Sequence, residues 1–383
     1  NGTPNDIAII QAFALHGITL LSNAVITHTP IETATANASI SVNANITLTY
    51  PWALANANCY YRVNNSTLWT SLAMSISGNN MQVNIPSQSD GSIIAYYISL
   101  EDIYGFNSGV LPMAANTMPI QHANLPYFIL VGYELIEEYD FDFNPGFWTT
   151  GDPNDNATTG MWEIGDPIGS YVTPFSLSGM VQTEEQHTPG GFACAFTQNA
   201  ASNQLSIGDK DVDEGHTTLY SPPYDLSSYI NPAFSYWRWY TNNTGAEPNA
   251  DWWQVEITGD GGSSWVSIEN TLTSDISWRK FVFRVQDYIN INSTQVQLKF
   301  VASDSTNGAL SGGSLVEAAV DDLYLYEAQS NQTTVLDLTP NKPELIRITD
   351  LLGREINLNL ITQTTTVLYI YDDGSIQKKL IIK

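Results

Sequence analysis

Apolar and polar residues alternate along most of this chain. In ASISVNANITLTY (38–50), DWWQVEI (251–257) and QVQLKFVAS (295–303) every second side chain is apolar, the period of a strand that turns one face to a core. On that period Trp253, Val255 and Ile257 belong in a core, while Trp252, Gln254 and Glu256 take the opposite face. CYYRV (59–63), WTSLAMSIS (69–77), MQVNIP (81–86), SIIAYYISLED (92–102), FSYWRWY (234–240), WRKFVFRVQDYI (278–289) and EAAVDDLYLYE (317–327) are further strand segments. Asp260-Gly261-Gly262 and Asp372-Asp373-Gly374 interrupt such segments, and their glycines supply the positive φ that a tight hairpin turn needs. The one helix predicted is at the start: Asn5 or Asp6 caps it, Ile9, Ile10, Phe13 and Ala14 recur at three and four, and Gly17 stops it. The fold class is therefore all-β.

A chain of 383 residues exceeds one ordinary core and implies two or three modules, since domains cluster at roughly 100–200 residues. The pattern divides it into a short helical segment (1–21), a first sandwich (22–133), a larger strand-rich module (134–328) and, after the polar linker AQSNQTT, a small β domain (329–383). About seven short strands in the first sandwich suggest an immunoglobulin-like or fibronectin-like architecture.

Charge narrows the partners. The net charge is −26, from 13 basic and 39 acidic residues, and all of it lies before residue 329. Such a surface repels phosphate backbones, which excludes nucleic acid, and attracts divalent cations. No run of roughly 18 apolar residues is present, so no membrane insertion is expected, and the N-terminus lacks a basic region followed by an apolar run. Cys59 and Cys194 lie in different modules within apolar sequence and are expected as buried free thiols.

Several stretches resemble known families. ELIRITDLLGRE followed by VLYIYDDGSIQKKLIIK resembles the C-terminal sorting domain of the type IX secretion system of Bacteroidetes-type bacteria. That resemblance implies that Asp350, Gly353, Arg354, Asp372, Asp373, Gly374, Lys378 and Lys379 form an address read by the secretion machinery, and that the protein is secreted or held at the outer cell surface. NGTPNDIAIIQAFALHGI resembles the segment closing the catalytic region of some large secreted zinc metallopeptidases, with Asn5 where that family has His. The order Trp69, Met74, Ile85-Pro86, SQSDGS, YYISLED, YGF resembles the small sandwich that follows catalytic domains in secreted bacterial peptidases. HTPGGFACAFTQNA, DVDEGHTTLYSPPYDLSS and VEAAVDDLYLY together resemble a MAM-like or concanavalin-like jelly roll. These resemblances imply the accessory half of a metallopeptidase-like parent. A surface adhesin or structural protein built of sandwiches is the alternative.

Catalytic motifs are missing. The histidines (His16, His28, His122, His187 and His216) are scattered with no HExxH pair, and no G-x-S-x-G elbow occurs. Calcium is the cofactor the acids point to. Asp209, Asp211 and Asp213 alternate before Gly215 like the first half of an oxygen-ligand loop, although Tyr220 stands where such a loop closes with Glu. A second set joins Asp140 or Asp142 on the first strand of the larger module to Asp321 and Asp322 on its last. For a ligand, exposed rings beside hydrogen-bonding groups make a glycan platform, and Trp252 with Asp251 and Gln254 is the candidate; a protein ligand is the other partner considered.

Overall fold

The computed structural model describes residues 4–14, 16, 18–112, 125–142, 147–171, 180–200, 208, 210–245, 247–304, 313–329, 345–358, 362–372 and 375–381. The chain divides into two compact units, Asn1–Ser330 and Asn331–Lys383. Among the described residues the only α-helix is α1 (Asp6–Ala14), and Ile7, Ile9 and Phe13 on it are exposed. The rest is strand and connection, an all-β chain of tandem sandwiches with a small β-sheet at its end.

Among the described residues ten strands build the first sandwich: β1 (Val25–Thr27), β2 (Thr33–Ala34), β3 (Ile40–Thr47), β4 (Leu54–Val63), β5 (Thr70–Ala73), β6 (Ser75–Ser77), β7 (Asn80–Ile85), β8 (Ser92–Asp102), β9 (Asn107–Leu111) and β10 (Tyr127–Val131). One sheet runs β1-β3-β7-β6 and the other β2-β10-β8-β4-β5, with β9 also on β8. The alternation in ISVNANIT is realised residue by residue, with Ile40, Val42, Ala44 and Ile46 buried and the intervening residues exposed. SIIAYYISLED behaves differently. Ile94, Tyr96, Ile98 and Leu100 enter the first core, while Ile93 and Ala95 on the reverse face join Phe128 and Leu130 against Tyr133, Ala233, Val282 and Tyr326 of the second sandwich. A strand covered on both faces reads as a continuous apolar run, and the second sandwich is what covers it.

The second sandwich comprises β11 (Tyr133–Tyr139), β12 (Thr149–Thr150), β13 (Trp162–Gly165), β14 (Cys194–Thr197), β15 (His216–Tyr220), β16 (Pro232–Thr241), β17 (Trp252–Thr258), β18 (Val266–Thr271), β19 (Asp275–Arg284), β20 (Gln297–Ser303) and β21 (Glu317–Ala328). One sheet is β13-β14-β21-β16-β19, with β11 also paired to β21; the facing sheet is β12-β15-β20-β17-β18. Between them Phe234, Tyr236 and Tyr240 of β16 meet Trp253, Val255 and Ile257 of β17, all fully buried. Burying one such side chain contributes roughly 1.5–3 kcal/mol. A polar knot sits in this core. Glu269 on β18 accepts from the Tyr236 hydroxyl (2.5 Å), Arg238 Nε (3.2 Å) and Trp253 Nε1 (3.0 Å), tying the two sheets together. The buried guanidinium is thereby paired, as burial of a charge requires. Both cysteines are buried and free, and burial pushes the Cys59 thiol up to about 12.

The second unit holds a three-stranded antiparallel sheet, β22 (Leu345–Thr349), β23 (Thr365–Tyr371) and β24 (Ile376–Ile381), in the order β22-β23-β24. The hairpin expected around Asp372 joins β23 to β24, with Ile370 opposite Ile376; Asp373 and Gly374 lie outside the described residues. Asp350 caps the turn after β22 by accepting from Leu352 N, Arg354 N and Arg354 Nε, with Gly353 at φ 82°. Those hydrogen bonds and the Arg354 charge outweigh burial and hold the Asp350 carboxyl below its ordinary range. Lys378 pairs with Leu368, and Lys379 pairs with Val367 while its ammonium sits 4.6 Å over the Tyr369 ring. Among the described residues of the chain no helix is long and apolar enough to cross a membrane.

Candidate functional site

Three strands of the second sandwich present a graded face to solvent. The register sets His216, Ser303 and Trp252 in one cross-strand row, Thr218, Val301 and Gln254 in the next, and Tyr220, Lys299 and Glu256 in a third. All nine line a groove of about 870 Å³, a volume within the roughly 300–1,000 Å³ of small-ligand sites. They line it as alternate residues because period-two geometry puts their neighbours Trp253, Val255, Phe300 and Ala302 in the core. The three rows span about 13 Å along the strands.

The rim is aromatic and the floor is polar. Half-buried Trp252 stands at one end, and at the other half-buried Trp265 lies 5.8 Å from the Tyr220 ring. Lys299 Nζ sits 4.6 Å over Trp265 and forms an ion pair with Glu256. The Tyr220 hydroxyl donates to Asp152 (2.6 Å), and that hydrogen bond is the main reason the Asp152 carboxyl lies below its ordinary range. Gln254 Nε2 donates to Asn270 at 3.3 Å. The end beside Trp265 is shaped by the predicted hairpin: Gly261 and Gly262 adopt φ 69° and 90°, and Asp260 takes hydrogen bonds from Thr258 and Ser264. Side chains other than glycine rarely adopt such φ values.

Trp252 and Gln254 are thus placed together as the alternation indicates. Asp251 is not with them. It is fully buried, on the core side with Trp253, and electrostatically coupled to Asp304. His216, Tyr220, Trp265 and Lys299 are groove residues that no local pattern singled out; only the pairing of β15, β20 and β17 assembles them.

Among the described residues no group of three or more His, Cys, Asp or Glu side chains is arranged to hold a metal ion. Asp209 lies outside the described residues. Asp211 is buried and held up to about 7 by burial and by Asp213 and Asp304, while Asp213 accepts from Thr159 Oγ1. The second acidic set does converge, because β11 runs antiparallel to β21 with Tyr139 opposite Leu323, which brings Asp140 and Asp142 to the end that holds Asp321 and Asp322. Asp142 Oδ1 accepts from Phe192 N (2.7 Å) and Ala193 N (2.9 Å), and its buried Oδ2 has no hydrogen-bond partner. Asp321 accepts from His187 N and Asp322 N; burial, then the Asp322 charge, holds it up to about 8. Burial acts the same way on Asp322, but hydrogen bonds from His187, Thr188 and Tyr324 outweigh it and keep that carboxyl low.

No protein-family model matches this sequence, and no curated protein does. Solved structures similar in part include a carbohydrate-binding module of the β-sandwich superfamily (TM-score 0.26, 11% identity, over 79% of this chain and 96% of that one). A xylan-binding domain of CBM22 matches at TM-score 0.27 and 10% identity over 51% and 95%. The CBM22-1–CBM22-2 tandem of Paenibacillus barcinonensis Xyn10C matches at 0.29 and 9% over 80% and 87%. At these scores the likeness carries no weight for what the groove does, and its chemistry rests on its own residues.

Proposed function

We propose that the second sandwich binds an uncharged glycan in the groove over β15, β20 and β17. The observation that carries this reading is the pair of half-buried tryptophans, Trp252 and Trp265, at opposite ends of three rows of hydrogen-bonding side chains. Sugar rings have apolar faces that lie on aromatic rings and hydroxyl edges that meet amides, hydroxyls and carboxylates. Gln254, Gln297, Asn154, Asp152 and Glu256 offer those groups. The groove's lysine is already paired with Glu256, which favours neutral sugars over uronic or sulfated ones. Screening the full chain on a glycan array beside Trp252→Ala tests this. Neutral oligosaccharides bound by the parent and lost by the variant support it; an empty array, or binding that survives the substitution, removes it.

We also propose calcium at the end of the same sandwich, on two carboxylates and not on a preformed cluster of three among the described residues. Asp142 and Asp321 would hold it, since one has an orphaned buried oxygen and the other an unfavourable buried charge, and oxygen donors suit this hard cation. Bound there, calcium would supply the positive charge that these carboxylates lack and would brace the HTPGG segment, where a side chain at Gly191 would collide with Asp142 and Gln186. In the wider setting, the sandwiches serve as the non-catalytic accessory region of an exported metallopeptidase-like protein, and the terminal sheet is its secretion address. The wording of the two ends supports this setting, and deleting residues 329–383 tests it: surface delivery should stop, whereas normal delivery of the truncated chain overturns the address.

A further inference from the structure

Two further concavities lie between the sandwiches, within the first compact unit. The larger, about 650 Å³, is a cleft bordered by Pro30, Pro112, Tyr127 and Trp237 and by the run Ser274 to Lys280; residues 113–124, which continue from its Pro112 wall, lie outside the described residues. The smaller, about 70 Å³, is lined by an arginine that has no acidic partner among the described residues.

That arginine, half-buried Arg62, reaches the cavity from β4. Alternation along β4 turns Cys59 and Tyr61 into the first core and sets Tyr60 and Arg62 on the reverse face, opposite Tyr97 and Ala95 of β8. It is the face that the second sandwich covers. There the guanidinium stacks over the Trp69 ring at 4.7 Å, and its Nε is buried with no hydrogen-bond partner. Burial draws its pKa below the ordinary guanidinium value. Among the described residues the cavity's carboxylate is Asp287, and Arg284 holds both of its oxygens, through Nε at 3.0 Å and Nη2 at 2.6 Å. Two guanidinium groups and one carboxylate thus line the cavity, which leaves one positive charge over in a chain with 39 acidic residues against 13 basic ones.

Burying a charge is unfavourable unless a counter-charge and hydrogen bonds offset it. Stacking on Trp69 occupies a face of the planar group and leaves its in-plane N–H bonds for an acceptor. The remaining wall is mostly apolar, with Ile93, Ala95 and Phe128 from the first sandwich and Phe281 and Phe283 from the second. The volume holds about two waters, at roughly 30 Å³ each, or a carboxylate group with a carbon or two attached.

We propose that this cavity binds a small monocarboxylate, of the size of acetate or propionate, which pairs with Arg62 and lays its alkyl end on the phenylalanines. A planar carboxylate matches the guanidinium fork, as spherical chloride does not. The apolar wall selects against phosphate, which carries more charge and more oxygens to satisfy. Because the walls belong to both sandwiches, the bound anion would brace their junction. The site shares no residue with the glycan groove.

Saturation-transfer NMR of the full chain with propionate tests this directly. The propionate methyl group should receive saturation, and that of propionamide, its uncharged counterpart, should not. Thermal melting at pH 7 in about 100 mM acetate, against chloride at the same ionic strength, adds a second readout. Acetate should raise Tm by about 2–5 °C over chloride in the parent chain and by under about 1 °C in Arg62→Met, each chain being compared with its own melting in chloride. Arg62→Lys keeps the charge without the fork and should lose most of the gain. Equal saturation of propionate and propionamide, equal acetate gains in the parent and Arg62→Met, or a gain kept in full by Arg62→Lys would each overturn the proposal.

Discussion

The groove over β17 and the cleft along β19 sit on the two sheets of one sandwich and gather their residues in different ways. The groove uses a face: nine alternate side chains from three strands form rows, set by the pairing of β15 and β17 with β20. The cleft between the sandwiches is bordered by consecutive residues, Ser274 to Lys280, whose charged side chains are engaged, Lys280 with Glu32 and Arg279 with Asp275. A face selects its ligand through side-chain chemistry, so substitutions should break the groove one residue at a time, without touching the cleft, with which it shares no residue.

The largest effect is expected where the two sheets share support. Glu269→Ala leaves Arg238 buried without its counter-charge and frees the Tyr236 and Trp253 donors, so it should lower stability by about 3–5 kcal/mol and abolish glycan binding with it. Chemical denaturation measures it, and a loss under about 1 kcal/mol would show that the knot is not the common brace.

Next comes pH. The Asp321 carboxyl is held up to about 8 and Asp211 to about 7, in both cases first by burial, against about 3.9 in an unfolded chain. Each then binds its proton more tightly when folded, so the associated stability is complete below about pH 4 and is lost as pH rises through the folded values. Without divalent cations, Tm should fall by about 5 °C or more between pH 5 and pH 8.5, and millimolar calcium should restore most of that loss at pH 8.5 and little at pH 5. Identical melting in calcium and in chelator at both pH values would remove the calcium reading. A single ring is smaller again. Trp252→Ala should weaken glycan binding at least tenfold, about 1.4 kcal/mol, with stability intact. Smallest is Lys299→Met. Its ion pair with Glu256 is partly exposed, so stability should change by about 0.2–1 kcal/mol and neutral-glycan affinity by no more than about threefold.

The contrast also explains what is legible in the sequence. DWWQVEI declares its two faces in seven letters, so alternation alone assigns Trp252 and Gln254 to the solvent side and Trp253 to the core. The same period places Asp251 with Trp253, and in the fold that period outranks the aspartate's adjacency to Trp252. His216, Tyr220, Trp265 and Lys299 join the groove through register, which depends on pairings across as many as 87 residues, such as His216 with Ser303. The cleft is invisible in the sequence for a stronger reason. It gathers residues near 30, 112, 127, 237 and 276 from two sandwiches, so no local pattern names it. SIIAYYISLED carries a hint of the junction, since its unbroken apolar run implies cover on both faces, but nothing local names the cover.

The most direct test of the central claim is a calorimetric titration of the full chain with the strongest neutral oligosaccharide from the array, repeated on Trp252→Ala, Trp265→Ala and Ile276→Asp. The account predicts that both tryptophan substitutions weaken the glycan at least tenfold and that Ile276→Asp leaves it unchanged. Retained affinity in both tryptophan variants, or loss in Ile276→Asp, would contradict a glycan site on the face of β15, β20 and β17.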